Sequence, residues 1–179
     1  MVRIMFEDEA GFGRISDPVN CWAPPKHRPA VPNQRVRQYK TVYGAVSPLD
    51  GKSIFVVLDK SNTENMNIFL KALSEKFPDD MILLCVDNAS WHKSKELIVP
   101  ENVKFFYLPP RTPEMNPIEQ IWKEIRKRGF KNKLFATIQQ VIERFNEVVS
   151  ELPEKDIINI TLREWIYQAF LPSSVSDAD

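Results

Sequence analysis

Three acidic residues in this chain stand where carboxylates can do chemistry. The run Met81-Ile82-Leu83-Leu84-Cys85-Val86 is apolar without alternation and stops at Asp87-Asn88. An apolar run of that length, bounded by turn formers, reads as a strand buried on both faces. In α/β folds the crevice beyond the carboxyl ends of such strands is the usual place for a ligand, which puts Asp87 at a strand exit. On local grounds Asp87 serves equally well as the side chain of an Asx turn. Asp8 follows a second apolar stretch, Val2 to Glu7, which reads as the first strand. Glu119 lies in Asn116-Pro117-Ile118-Glu119. There Asn116 suits an N-cap, Pro117 the first helical position and Glu119 the third residue of a capping box, a structural role that needs no chemistry. The helix dipole favours an ionised carboxylate in that first turn, and a metal ligand has the same requirement.

Brought within a few ångströms of one another, three carboxylates repel, and at least one is pushed up in pKa unless cations intervene. A cluster of carboxylate oxygens suits Mg²⁺ or Mn²⁺, hard ions that accept carboxylates and water. Two such ions about 4 Å apart activate an attacking oxygen and stabilise a leaving one in phosphodiester cleavage.

The surrounding elements must bring the three acids together. After the first strand, Gly11 and Gly13 interrupt the pattern, and Asp17 to Gln38 holds five of the fourteen prolines together with Trp22. That composition predicts an extended arm rather than a helix. Strands are predicted at Tyr39–Val46 and Lys52–Leu58, joined through the Asp50-Gly51 hairpin signal. A helix at Asn62–Phe77 follows, with Met66, Phe69, Leu70, Leu73 and Phe77 at helical spacing. After the Asp87 strand come a short helix or irregular crossover near Ser94–Ile98 and a strand at Val103–Leu108. Helices are predicted at Pro117–Phe130, Thr137–Leu152 and Glu154–Phe170. The expected architecture is α/β, a mixed five-stranded sheet with helices on both faces in the order of the ribonuclease-H-like fold. One domain occupies residues 1–172, with an arm over 10–38 and a frayed tail over 173–179.

Phe6-Glu7-Asp8-Glu9-Ala10-Gly11-Phe12, Val86-Asp87-Asn88-Ala89-Ser90-Trp91-His92 and Pro113-Glu114-Met115-Asn116-Pro117-Ile118-Glu119-Gln120-Ile121-Trp122 resemble the three acid motifs of DDE transposases. The nearest likeness is to the IS630 branch of the IS630/Tc1/mariner superfamily, over Ile4 to about Phe130. The resemblance implies that Asp8, Asp87 and Glu119 are the catalytic, metal-binding triad, holding two Mg²⁺ ions with Mn²⁺ as a substitute. It implies cleavage at transposon ends and 3′-hydroxyl transfer into target DNA at TA sites. The spacing between Asp87 and Glu119, 31 intervening residues, is somewhat short for the family. Asn88 and His92 are accessory candidates, His92 with a surface or core-satisfying role as the competing reading. Strand alternation turns Glu7 and Glu9 away from Asp8, so neither joins the triad. Trp22 matches a tryptophan of a loop that, in the related mariner enzymes, clamps a partner subunit; here that implies a homodimer, and packing on its own domain is the competing reading.

The formal net charge is zero, so overall charge selects no partner, but its distribution does. One basic group holds Arg14, Lys26, Arg28, Arg35 and Arg37; the other holds Arg126, Lys127, Arg128, Lys131 and Lys133. These are candidate DNA phosphate contacts, with solvated faces as the bland reading. Cys21 and Cys85 make neither a disulfide framework nor a zinc spacing, which points to a reducing compartment. With no apolar run of membrane-spanning length, a cytoplasmic, nucleoid-associated prokaryotic protein is expected. The first strand begins at Val2, so the N-terminal helix-turn-helix region of IS630-type relatives is expected to be missing from this chain, making it a catalytic fragment or a split-frame product. Two rival functions remain: a catalytically silent DNA-binding or dimerisation remnant, and a ribonuclease-H-like nuclease that never joins strands.

Overall fold

The computed structural model describes residues 1–16 and 18–170; the predicted tail at 173–179 lies outside them. Five strands form one sheet, β1 (Val2–Ile15), β2 (Arg35–Val46), β3 (Ser53–Leu58), β4 (Met81–Val86) and β5 (Val103–Tyr107), in the spatial order β3-β2-β1-β4-β5. β1, β2 and β3 pair antiparallel, while β4 joins β1 and β5 joins β4 in parallel. Among the described residues five α-helices accompany the sheet: α1 (Thr63–Lys76), α2 (Ile118–Gly129), α3 (Ile138–Ser150), α4 (Glu154–Thr161) and α5 (Glu164–Phe170). This is the mixed sheet with helices on both faces that the element order predicts.

Alternation along the strands sorts the core into two halves. Phe6, Ala10 and Phe12 of β1 point to one face. There Ala10 and Phe12 meet Val42 and Val46 of β2 and the buried stripes of α2 and α3, Ile118, Ile121, Trp122, Ile125, Val141, Phe145 and Val148. Met5 points the other way, into Tyr43, Ala45 and the apolar stripe of α1, Met66, Phe69, Leu70 and Leu73. Asn62 caps α1, its side-chain oxygen accepting from the Asn65 amide at 2.9 Å. The Asp50-Gly51 step closes the β2–β3 hairpin, with Gly51 at φ +73° and the Ser47 amide donating to the Lys52 carbonyl at 2.8 Å. A Cβ on Gly51 would collide with the Glu154 carbonyl, so that turn tolerates only glycine.

Four boundaries differ from the sequence reading. β1 runs past Asp8 to Ile15, and β2 starts at Arg35. Gly11 and Gly13 extend the strand instead of breaking it, because β2 supplies ladder partners as far as Ile15↔Arg35. A Cβ at Gly13 would come within 2.5 Å of the Gln38 carbonyl oxygen, so the glycine admits a close approach of the two strands. The crossover after β4 places its short 3-10 turn at Ser90–Lys93, ahead of the expected Ser94–Ile98. The predicted final helix is two, α4 and α5. The Thr161 hydroxyl donates back to the Ile157 carbonyl at 2.6 Å, and Leu162 leaves helical geometry to reach the small cluster of Phe6, Cys85, Leu108 and Ile166.

Candidate active site

Parallel pairing of β1 with β4 ends at the rung Phe6↔Cys85. Asp8 and Asp87 each lie two residues beyond it, Asp8 still within β1 and Asp87 just past the end of β4, where its carboxylate faces His92. Asp8 thus sits mid-strand in β1, opposite Gly44 of β2, while β4 has already ended. The carboxylate of Asp87 is 57% exposed, and its Oδ1 accepts from the Ala89 amide at 2.8 Å. The Asx turn and the outward-facing carboxylate are therefore both present in one residue.

Gly44 positions the next component. A Cβ there would lie 2.5 Å from the Trp122 ring, so the absent side chain is what lets the indole lie against the sheet. Trp122, buried and flanked by Phe12 and Phe55 at ring-centroid distances of 6.0 and 5.6 Å, donates from Nε1 to Asp8 Oδ2 at 3.1 Å. Glu119 precedes Trp122 by three residues and shares its helix face. Burial pushes the Asp8 carboxyl up to about 7, with the nearby charges of Glu119 and then Glu9 adding to the shift. Asp8 and Glu119 are electrostatic neighbours, and two carboxylates so placed are eased by a cation between them.

The capping box expected at Asn116 is not formed. The Asn116 side chain is buried and turns inward, donating to the Glu7 carbonyl at 2.7 Å, and α2 starts with no side-chain cap. An unsatisfied buried carbonyl in β1 costs more than an uncapped helix end that solvent reaches. Asn116 therefore fastens the start of α2 to β1, and the structural reading of Glu119 as a capping-box member is overturned.

Sequence reasoning missed what lies behind Asp8. Glu7 and Glu9 turn to the opposite face, as alternation requires, and meet His92 there. Each of the three offers a ligand atom within 4.8 Å of the others. His92 is buried, not at the surface; its Nδ1 faces Asp87 Oδ1 at 3.0 Å, and its Nε2 faces Glu7 Oε2 at 3.4 Å and Glu9 Oε1 at 3.8 Å. Burial works to lower the His92 pKa, but Glu9 and Asp87 outweigh it and raise it; burial first, then Glu9, Asp8 and Asp87, hold Glu7 well above the usual carboxylate range. The available signal was the spacing Glu7-x-Glu9 on a strand whose odd residues face α1. Asn88 acts within the loop, its amide donating to the Leu108 carbonyl and its oxygen accepting from Lys93, both at 2.6 Å.

The basic candidates separate. Arg14, Arg126, Lys127, Lys131 and Lys133, with Lys123, line a groove of about 930 Å³ floored by Phe12, Phe130 and Phe135. Arg126 stacks over Phe12 at 4.9 Å and donates to the Gly11 carbonyl at 3.2 Å. Arg128 does not join them: it pairs with Glu124 and Asp156, each at 2.8 Å. Lys26, Arg28, Arg35 and Arg37 are exposed and stand outside the groove. Trp22 is fully exposed. Cys21 and Cys85 are free thiols.

A mixed sheet in this order, with one acid inside β1, one just past β4 and one opening a helix, is that of the ribonuclease-H-like class of integrase and transposase catalytic cores. Solved structures with this fold include the Mos1 strand transfer complex, at 12% identity and TM-score 0.69 over 89% of this chain and 50% of that one. A Mos1 mariner paired-end complex with Mn matches at 14% identity and TM-score 0.67, over 89% of this chain and 51% of that one. The catalytic core domain of BIV integrase matches at 12% identity and TM-score 0.55, over 96% of this chain and 100% of that one. The chain thus spans about half the length of the Mos1 chains it matches. Residues 3–142 match the DDE superfamily endonuclease model, and the chain belongs to that family. An uncharacterized protein of Sinorhizobium fredii (strain NBRC 101917 / NGR234), y4pE/y4sA, is 34% identical over 133 residues, 72% of this chain and 97% of its own length. Among the described residues no helix is long and apolar enough to cross a membrane.

Asp8, Asp87 and Glu119 offer only carboxylate oxygens, and Asp8 is buried beside a like charge. That donor set fits the hard divalent ions such sites take.

Proposed function

We propose that this chain is the catalytic domain of an IS630-type DDE transposase, with Asp8, Asp87 and Glu119 as its acidic triad. The observation that supports this reading most is that Asp8 and Asp87 each stand two residues beyond the last rung pairing β1 with β4, with Trp122, one helical turn from Glu119, bonded to the Asp8 carboxylate. The triad would hold Mg²⁺ or Mn²⁺, two ions per site, which supply charge neutralisation for the attacking and leaving oxygens. The chain's own residues build the frame: Trp122 fixes the Asp8 carboxylate, the Ala89 amide fixes that of Asp87, and Asn116 locks the start of α2 to β1.

In the first reaction water attacks a phosphodiester phosphorus, the P–O3′ bond breaks, and a 3′-hydroxyl is freed. In the second, that hydroxyl oxygen forms a new bond to a target phosphorus while the target P–O3′ bond breaks; its proton passes to solvent. The groove of Arg14, Arg126, Lys127, Lys131 and Lys133 grips phosphates without reading bases, with the element's TA target set elsewhere. The arm around Trp22 docks a second copy, so the working unit on DNA is a homodimer, and its place is the nucleoid.

The test combines nicking and joining. Labelled duplex with a recessed transposon-end 3′-hydroxyl is incubated with TA-bearing plasmid and Mn²⁺ or Mg²⁺. Nicked and covalently joined products are expected. Asp87→Asn and Glu119→Gln each reduce both by orders of magnitude while the circular dichroism stays unchanged. Nicking without joining would make the chain a nuclease on this fold, and near-wild-type cleavage by either variant removes that residue from the triad.

A further inference from the structure

The buried group on the reverse face of β1 is not explained by the triad chemistry. Both carboxylate oxygens of Glu7 and the Nε2 of His92 are shut off from solvent and have no hydrogen-bond partner, in side chains 0% and 1% exposed. Burying polar atoms without partners is costly, and native proteins keep such atoms where an ion or water completes them. We propose that Glu7, Glu9 and His92 form a second metal centre, separate from the triad and of zinc type.

The distances fit this assignment. His92 Nε2 lies 3.4 Å from Glu7 Oε2 and 3.8 Å from Glu9 Oε1. Tetrahedral ligands about 2.0–2.2 Å from an ion stand about 3.3–3.6 Å apart, so only small adjustments separate this arrangement from a loaded one. Glu7, with both oxygens unpartnered, can chelate through the pair, which with Glu9 Oε1 and His92 Nε2 makes four donors.

The outer shell is already built. Both groups facing His92 Nδ1, the Asp87 carboxylate at 3.0 Å and the Asp87 carbonyl at 3.3 Å, are acceptors, so Nδ1 carries the proton. The Nε2 lone pair then points at Glu7 and Glu9, the carboxylate–histidine–metal arrangement. Trp91 Nε1 donates to Glu9 Oε1 at 2.7 Å and orients the second carboxylate. Two carboxylates and one divalent ion sum to zero charge, which suits a dry interior. An imidazole nitrogen in a closed pocket favours Zn²⁺ over Mg²⁺, which prefers oxygen ligands and retains several waters. Because His92 holds Asp87, the ion would brace one member of the triad from behind.

The measurement uses the whole chain, refolded in the presence of Zn²⁺ so that a buried site can load, then dialysed against excess Mg²⁺. Metal content by plasma mass spectrometry is compared for wild type, the Asp8→Asn/Glu119→Gln double variant and Glu7→Gln. One zinc per chain is expected in the first two and none in Glu7→Gln. Because the double variant lacks the triad, this outcome is independent of the proposed transposase activity. Co²⁺-loaded wild type should show the visible absorption of a four-coordinate ion and paramagnetically shifted His92 ring protons, a readout that stands even if Glu7→Gln fails to fold. Folded wild type without stoichiometric zinc, loading that survives in Glu7→Gln, or Co²⁺ that leaves the His92 ring unshifted would each overturn the assignment, and Glu7 would then simply share a proton with His92.

Discussion

Removing the charge of Asp8 should stabilise the metal-free protein even as it abolishes catalysis. Burial and the neighbouring Glu119 raise its carboxyl from the ordinary 3.8 to about 7. At about 1.4 kcal/mol for each pH unit, that amounts to a penalty of about 4 kcal/mol on the ionised folded state. A carboxyl raised on folding takes up a proton as the chain folds. Its stabilising effect is therefore complete below pH 3.8, shrinks as pH rises, and is gone above about 7. Asn in place of Asp8 keeps an oxygen to accept from Trp122 Nε1 and carries no charge at any pH. In urea denaturation with a chelator present, Asp8→Asn should exceed wild type by about 4 kcal/mol at pH 8 and by about 1.5 kcal/mol at pH 5. Titrating groups remote from Asp8 are common to both proteins and cancel in the difference. Mn²⁺ at pH 8 should then narrow the gap by stabilising wild type alone. A difference that stays flat between pH 5 and pH 8, or a variant less stable than wild type at pH 8, would refute the claim that Asp8 is buried against a like charge.

Asn116→Ala removes the 2.7 Å bond to the Glu7 carbonyl and leaves that buried oxygen unpartnered. A loss of about 1–3 kcal/mol in urea denaturation is expected, together with reduced nicking as the start of α2 loosens; unchanged stability would mean that Asn116 does not fasten the helix. Arg126→Ala combined with Lys131→Ala should weaken DNA binding equally for all sequences and flatten the dependence of log K on log salt by about 0.9 for each phosphate no longer neutralised. Arg128→Ala, whose charge is already matched by Glu124 and Asp156, should leave that slope unchanged, and a fluorescence titration at two salt concentrations separates the cases.

The mixed sheet was legible because β4 is an uninterrupted apolar run, the Asp50-Gly51 step marks a hairpin, and α1 and α2 carry apolar stripes at helical spacing. Local pattern could not show the length of β1. Gly11 and Gly13 weaken a strand in isolation, and only pairing with β2 holds them extended. Asn116 misled for a related reason: its local rules describe a helix cap, but the Glu7 carbonyl that captures it lies 109 residues away. Alternation correctly turned Glu7 and Glu9 from Asp8. It could not reveal that His92 fills the space between them and Asp87, because that contact forms only when β4 docks on β1. The notch at Gly44 that admits Trp122 is equally invisible, since it depends on a helix more than seventy residues downstream.

β1 carries Glu7, Asp8 and Glu9 in succession, an acid on alternating faces at each step. The strand therefore offers the same kind of side chain to either face, and only its alignment with β4 decides which acid meets Glu119. Losing or gaining one residue before Glu7 would leave an acid beside Trp122 and another beside His92, yet exchange every apolar contact of Met5 and Phe6 between the two halves of the core. Such a frame slip would look conservative in a comparison of acidic positions and be ruinous in packing. Drift in this family should therefore spare the length of β1 more strictly than the identity of its residues, and engineered variants should alter side chains there while keeping the count intact.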